Sequence, residues 1–505
     1  MKGELMTSVA ASPLEENLNR LAALRLRTEA FIDGRFVPAQ DRATFPNVSP
    51  RDGRVIAHVA LCGPQDVDSA VAAARRAFDE GPWPRMHPRE RRAVLLRLAR
   101  LIFEHREELA LLEALDMGKP VSDALAVDLR VTVQSFEYFA EAIDKFSDEV
   151  APTGTDTLAT VTREPIGVVG AVVPWNFPLM LASWKLAPAL ATGNSVVLKP
   201  AEQSPLTALR LAELAAEAGI PDGVLNVVPG DGPGTGAAIG LHPHIDAVTF
   251  TGSGAVGRKF LRYSAESNLK KVSLELGGKN PQIVFRDAPD DDTVAEAIAT
   301  GIFFNAGEVC SAGSRLLVHS SRRDGIVEAV VARARRLQAD DPLDPRTRLG
   351  ALVEEPHLQK VLGYIEGAVA EGADVLAGGR RVREETGGYY LEATVLDGLG
   401  RDATAVREEI FGPVLTIQTF ETVEEAVELA NDTPYGLAAA VWTTDLSTAH
   451  LTARAIRAGT VWVNCFDDSD VTVPFGGYKQ SGMGRDKSLH ALEKYTELKT
   501  TWIKL

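Results

Sequence analysis

The chain has 505 residues, 45% apolar and 24% charged, with 43 Gly and 28 Pro, a composition that excludes disordered, fibrous and disulfide-stapled classes. Its 53 basic and 69 acidic residues leave a formal net charge of −16, which argues against nucleic acid or an anionic membrane as partner, since both select clustered Lys and Arg. Cys62, Cys310 and Cys465 form no C-x-x-C pair, which excludes a zinc knuckle and points to a reducing, cytoplasmic setting.

At roughly 150 residues per domain, the length allows about three units. Near the N-terminus, Glu4, Glu15, Glu16 and Arg20 interrupt any apolar run, against a secretory segment. Leu14, Leu18 and Leu21 share one helical stripe. No apolar stretch reaches the ~18 to 20 residues of a membrane span. Asp66 to Phe78 and Pro88 to Leu115 read as helices, and the polar, Thr-rich Val150 to Glu164 as extended.

From Ile166 the pattern becomes regular. Strands are predicted at Val168 to Pro174, Ser195 to Leu198, Val224 to Val228, Ala247 to Phe250 and Val272 to Leu276. Between them lie helices at Leu179 to Thr192, from Ser204 and Pro205 to Gly219, at Gly234 to Leu241 and at Ala255 to Ala265. Apolar strands separated by single helices imply a parallel sheet covered on both faces. A second series has strands at Gln282 to Phe285, Arg315 to His319, Val414 to Thr419, Ala439 to Thr443 and Val461 to Val463. Its helices are Thr293 to Phe304, Gly325 to Leu337, Val423 to Leu429 and Ser447 to Ile456. The expected fold class is α/β, with two such units facing each other across a cleft. Lys494 to Leu505 alternates like a strand that must pair with something, and another subunit is a good candidate.

Gly252 to Gly257 reads G-x-G-x-x-G between a strand and a helix, the context in which exposed amides and a helix dipole hold a pyrophosphate; a glycine-rich turn without ligand has the same pattern. A second glycine cluster runs from Gly230 to Gly236. Glu275 falls about where a ribose-binding acid would stand, but it ends a strand, where clefts of parallel sheets open. Lys199 and Glu202 also follow a strand and suit ribose hydroxyls. Cys310 lies among glycines and small polar residues at a helix-to-strand junction, more accessible than an inert core cysteine. In Pro174-Trp175-Asn176-Phe177-Pro178 two prolines stiffen a turn displaying the Asn176 amide, either an oxyanion donor or a helix cap. No cluster with metal-ligand spacing is present, so no metal is expected.

These segments, with Lys199-Pro200-Ala201-Glu202, Phe250-Thr251-Gly252-Ser253, Leu274-Glu275-Leu276-Gly277-Gly278-Lys279, Gly307-Glu308-Val309-Cys310, Glu409-Ile410-Phe411-Gly412-Pro413 and Pro474-Phe475-Gly476-Gly477-Tyr478-Lys479, resemble the aldehyde dehydrogenase superfamily from about Phe31 to the C-terminus. The resemblance implies Cys310 as nucleophile, Glu275 as general base, and Asn176 with the Cys310 amide as oxyanion hole. It implies NAD, favoured over NADP by Glu202, held by Val173, Pro174, Trp175, Lys199, Glu202, Gly232, Gly236, Phe250, Gly252, Ser253, Gly257, Leu276, Glu409 and Phe411. Because members that acylate coenzyme A lack the glutamate, Glu275 implies hydrolysis to a carboxylic acid. Two departures from the family stand out, Gly254 where a bulkier residue is commoner and Glu308 in place of glutamine. A carboxylate at Glu308 is expected to raise the Cys310 pKa.

Phe177, Trp184, Phe303 and Phe475 match positions that wall the family's aldehyde tunnel. Asp467, Asp468 and Asp470 fall in its entry loop, either as a solvated acidic loop or, with Asp470 the chosen candidate, as an attractor for a cationic distal group. The tail from Val473 to Leu505 is similar to bacterial members that oxidise γ-glutamyl-γ-aminobutyraldehyde and other ω-amino or guanidino aldehydes of polyamine and arginine breakdown. The implied substrate is an aminoaldehyde; the alternative is broad specificity for aliphatic or aromatic aldehydes. The implied architecture has an N-terminal helical extension (1–30), a Rossmann-like NAD domain (31–142 and 162–277), a catalytic domain (278–478) and a small β projection for oligomerisation (143–161 and 479–505), in a dimer or homotetramer.

Overall fold

The computed structural model describes residues 12–505. Its first sheet has eight strands, in the order Arg35–Val37, Ala30–Ile32, Leu225–Val227, Ser195–Lys199, Val168–Val172, Ala247–Gly252, Lys271–Leu276 and Gly482–Met483. The five from Leu225–Val227 to Lys271–Leu276 are parallel, and antiparallel strands close both edges. Strand periodicity divides the side chains between two faces. Val169, Ala171, Val196 and Leu198 join the core built by helices Pro88–Glu104, Arg130–Ala142, Pro178–Ala191 and Leu206–Ala218. Val168, Val172, Val197 and Val248 pack instead on helices Pro64–Asp79 and Gly254–Glu266.

The chain winds from Val168–Val172 out to Leu225–Val227, then returns to the other side of Val168–Val172 with Ala247–Gly252. This reversal opens a crevice at the strand carboxyl ends, where ligands of such sheets bind. The Trp175 turn, Ser253 and Glu275 all leave strands at that end.

The second sheet has seven strands, Asp374–Ala377, Thr394–Asp397, Val414–Phe420, Arg315–His319, Pro281–Val284, Ala438–Trp442 and Thr460–Val463, parallel apart from the first. Helix Glu355–Ala370 packs under it through Leu358, Val361, Ile365 and Ala368. From sequence, no element is placed between Leu337 and Val414, where glycine-rich stretches around Thr394 and Asp374 interrupt the pattern.

Three sequence expectations change. The C-terminal strand Thr496–Lys504 needs no second subunit: it pairs antiparallel within the chain, from Thr496 opposite Pro165 to Lys504 opposite Thr157, and Glu149–Ala151 completes the sheet. Residues 479–505 do not belong to that projection as a whole, because Gly482–Met483 pairs with Leu274 and Glu275 on the first sheet. Nor does Ser204, expected as the cap before Pro205 at the first helical position, cap that helix. The Asp116 carboxylate accepts from the Leu206 amide at 2.9 Å, while the Ser204 hydroxyl donates to the Trp175 carbonyl at 3.4 Å. No helix among the described residues is long and apolar enough to cross a membrane.

Candidate active site

Cys310 follows three successive residues in the left-handed region, Asn305, Ala306 and Gly307. Only glycine fits the third: at φ +71°, an added Cβ would lie 2.1 Å from the Gly412 carbonyl oxygen. Side-chain amides fix this unusual backbone. Asn305 Nδ2 donates to the carbonyls of Asn176 (3.1 Å) and Glu308 (3.3 Å), and Asn176 Nδ2 donates to Glu308 at 2.9 Å. Beyond the cysteine, Asn280 Nδ2 donates to the carbonyls of Cys310 and Ala312, both at 2.9 Å. Gly278 packs so closely that a Cβ there would come within 2.9 Å of the Cys310 oxygen. Asn176 therefore spends one side-chain N–H on the loop and has a second N–H with no partner among the described residues.

Cys310 is partly exposed and lies where two cavities meet, one of about 250 Å³ and one of about 270 Å³. Burial, with Glu409, Glu275 and Asp467 nearby, holds its thiol well above the usual range. Glu308 does not contribute as expected. Its fully buried carboxyl faces away, accepting from the Val353 amide at 3.0 Å and lying 3.6 Å from His357 Nε2. Burial raises its own pKa well above the usual carboxylate value.

Glu275, 4% exposed, lines the 250 Å³ cavity, and neither carboxylate oxygen has a partner among the described residues. Burial first, then the charge of Asp486, raises its pKa far above normal, opposed by Lys185, Lys494 and Arg485. Asp486 itself is held below its usual value by ion pairs with Lys185 and Lys494, despite its burial. An unpartnered acid in a cavity is costly as structure alone and suits proton transfer.

The same cavity collects Pro174, Trp175, Gly252, Ser253, Leu276, Glu409 and Phe411. Ser253 caps helix Gly254–Glu266, leaving its positive end toward the crevice. Glu409 accepts from the Gly278 amide at 2.9 Å and is pushed up to about 7 by burial. Phe411, at φ +62°, and Trp175 meet edge to face at 5.4 Å. His357, held neutral by burial at a pKa of about 4, donates from Nε2 to the Phe411 carbonyl at 2.7 Å and packs on Trp175. No sequence signal singled out His357 or Lys360, which also line this cavity.

Other expected cofactor residues stand behind the wall. Val173 is buried, and its amide donates to the Lys199 carbonyl. Phe250 lies against Gly252, and Gly257 against Leu276. Lys199, Glu202, Gly232 and Gly236 form a separate group. Lys199 Nζ donates to the Pro200 carbonyl and pairs with Glu202 at 3.3 Å, Gly236 abuts the lysine stem, and Gly232 is exposed.

The 270 Å³ cavity is walled by Phe177, Trp184 and Phe475. Phe303 does not contribute, being 1% exposed in the core of the second unit; its neighbour Phe304 lines the cavity instead and stacks on Phe177 at 6.3 Å. Helix periodicity from Asp291 turns Phe303 toward Ala295 and Ala299, and the helix ends before Phe304. Asp467, Asp468 and Asp470 all line this cavity. Asp470 already accepts from the Thr472 amide (2.8 Å) and hydroxyl (2.6 Å). Asp467 lies nearer Cys310, 3.5 Å from the Ser311 hydroxyl, and burial pushes it up to about 6. Arg130, Gln134 and Lys487 share the cavity and carried no sequence signal.

A partly exposed cysteine where an aromatic-walled cavity meets a crevice at strand carboxyl ends suits an oxidising enzyme, and comparison with known proteins gives the family. The model of the aldehyde dehydrogenase family matches residues 36–501, and the chain belongs to that family. It is 52% identical to the aminoacetaldehyde dehydrogenase of Pseudomonas aeruginosa, covering 97% of this chain and 98% of that one. The NADP/NAD-dependent aldehyde dehydrogenase PuuC of Escherichia coli is 48% identical over 96% and 98%. Among solved structures, the γ-glutamyl-γ-aminobutyraldehyde dehydrogenase of Burkholderia cenocepacia superposes with a TM-score of 0.96 at 57% identity, covering 97% and 99%. An indole-3-acetaldehyde dehydrogenase complexed with NAD+ gives 0.96 at 55%, with the same coverage.

Proposed function

We propose that this chain oxidises an aminoaldehyde to its carboxylic acid with NAD. The observation that carries the reading is the position of Cys310, shared by the cofactor crevice and the tunnel. The residues present fit the dinucleotide: a capped helix N-terminus for the pyrophosphate, Lys199 and Glu202 for the adenosine ribose, Glu409 for the nicotinamide ribose, and Trp175 with Phe411 as an apolar wall. When bound, NAD supplies the hydride acceptor.

Cys310, deprotonated toward a cavity carboxylate, adds to the aldehyde carbon. The developing oxyanion is met by the free N–H of Asn176 and the Cys310 amide. Loss of hydride leaves a thioester on Cys310. Glu275 then takes a proton from water, whose oxygen attacks the thioester carbon; the carboxylic acid leaves and the thiol is restored. Its raised pKa makes the ionised Glu275 a stronger base than an ordinary carboxylate.

The substrate class rests on Asp467 in the tunnel and on the names of the relatives. Measuring kcat/KM with NAD for 4-aminobutyraldehyde, γ-glutamyl-γ-aminobutyraldehyde, benzaldehyde and hexanal tests it. At least one amino compound should lead; an advantage for hexanal or benzaldehyde would replace this reading with broad specificity.

The same reading keeps residues 31–142 and 162–277 as the NAD domain, now joined by Gly482–Met483, with 278–478 as the catalytic domain. It also places the enzyme in the cytoplasm as a homo-oligomer. Support for the oligomer comes from the projection, where Leu498, Trp502 and Ile503 are exposed on one short sheet.

A further inference from the structure

We infer that Lys119, buried behind the tunnel wall, is a positioning residue that decides how well the enzyme receives aldehydes long enough to touch that wall. This rests on the reading of the 270 Å³ cavity beside Cys310 as the aldehyde's path. Helix Arg106–Met117 ends at Gly118, whose φ is +83° and where an added Cβ would lie 2.7 Å from the Ala351 carbonyl oxygen. The chain turns there and carries Lys119 into the core, where it is 1% exposed. Its ammonium pairs with the Asp128 carboxylate, stands 4.0 Å from Glu113 and lies 3.9 Å from the centre of the Phe177 ring.

Each of these three contacts leads to a piece of the tunnel wall. Asp128 belongs to the π-helical turn Ala124–Leu129, a rare geometry that recurs at functional sites. Val127 of this turn and Val131 of the helix that follows line the tunnel. Phe177 is itself wall and stacks on Phe304 at 6.3 Å. Glu113 accepts from the Leu179 amide at 2.7 Å, at the start of helix Pro178–Ala191, which contributes Leu181 and Trp184. One buried cation thereby joins all the wall drawn from residues 127–184.

Stability alone does not account for this cluster. Glu113 and Asp128 are both 0% exposed, so two carboxylates share one ammonium in the core. Neutral residues of the same size commonly match or exceed such buried pairs in stability. What neutral residues lack is a directional hold on the ring: the ammonium is drawn to the negative face of Phe177 and opposes its tilting. A Phe177 released from Lys119 would tilt and reshape the cavity wall. Cys310 would keep its place, because Asn176, Asn305 and Asn280 hold its loop through backbone carbonyls.

The test measures kcat and KM for acetaldehyde, hexanal and benzaldehyde with NAD. Acetaldehyde reaches Cys310 without filling the tunnel, so it reports the chemistry alone. Wild type is compared with Lys119→Met/Asp128→Asn, which removes both charges of the ion pair, with Phe177→Leu, and with the three changes combined. Glu113, its pKa raised by burial, can hold a proton in the double variant. That variant should raise KM for hexanal and benzaldehyde about tenfold, while every kcat and the KM for acetaldehyde stay within about twofold. Added to Phe177→Leu, the same two changes should shift KM by less than about twofold, because the ring they act through is gone. Asp128→Asn alone keeps the ammonium and should give the same split at about threefold, which keeps the role of Lys119 measurable if the double variant does not fold. An unchanged KM for the larger aldehydes, an equal rise for acetaldehyde, or a rise as large on the Phe177→Leu background as in wild type overturns that role while the aldehyde's path stands. If Phe177→Leu itself leaves KM for hexanal and benzaldehyde unchanged, the cavity is not the aldehyde's path, and that reading falls together with the role of Lys119.

Discussion

The side-chain amide of Asn176 donates to the Glu308 carbonyl at 2.9 Å, tying the turn after the strand Val168–Val172 to the loop that presents Cys310. The residue proposed to meet the oxyanion is therefore also a brace for the nucleophile. Asn176→Ala should lower kcat by about 100-fold to 1000-fold, the usual cost of an oxyanion donor. Because Asn305 still donates to the same carbonyl at 3.3 Å, the melting temperature should fall only slightly. A variant with near-normal kcat would remove Asn176 from the chemistry.

Glu308 tests whether a buried acid stands in for an amide. Its folded pKa is raised above the unfolded value, so its stabilising contribution is complete in acid and is lost as pH climbs toward the folded pKa. Glu308→Gln can still accept from Val353 and has no proton to lose. It should keep activity within about twofold at neutral pH, and its melting temperature should fall less than that of wild type as pH rises above about 4.5, the ordinary glutamate value. Parallel melting profiles would show that Glu308 does not titrate in this way.

If Glu409 holds the nicotinamide ribose as proposed, cofactor affinity depends on pH. With a pKa of about 7, it is protonated on the acid side and ionised above. Ribose hydroxyls are better accepted by the ionised form. The KM for NAD should rise as pH falls from 8 to 6, by up to about tenfold per unit below the pKa. Glu409→Gln should show a higher KM with that slope removed; an unchanged slope would assign it to another group.

The proposed place of Glu202 at the adenosine ribose would bias the choice between the two nicotinamide cofactors. Its side chain is 42% exposed and pairs with buried Lys199, so screening limits its repulsion of a 2′-phosphate. Glu202→Gln should narrow the NAD over NADP ratio of kcat/KM by about fivefold to tenfold. No change in the ratio would contradict a ribose-side role.

Much of this was legible in the sequence because strand ends carry chemistry in a parallel sheet. Val168 to Leu276 shows its alternation openly, and Trp175, Ser253 and Glu275 fall at strand carboxyl ends once the strands are found. Other features depend on distances that sequence does not encode. The direction of the Glu308 side chain follows from left-handed residues at Asn305 to Gly307, so adjacency to Cys310 misled about its influence. Phe303 and Phe304 exchange places because the helix ends between them. Arg130 and Lys487 lie 357 positions apart, and only packing puts them in one cavity. His357 belongs to a helix, Glu355–Ala370, that sequence alone did not place, and nothing local pointed it at Phe411.

The central claim is that oxidation passes through an acyl group on Cys310 that Glu275 helps to hydrolyse. Intact-protein and peptide mass spectrometry of Glu275→Gln, mixed with excess γ-glutamyl-γ-aminobutyraldehyde and NAD and quenched in acid, tests it most directly. The account predicts a burst of about one NADH per active site and an added mass equal to the acyl group on the peptide carrying Cys310. Steady turnover without any adduct on that peptide would contradict it.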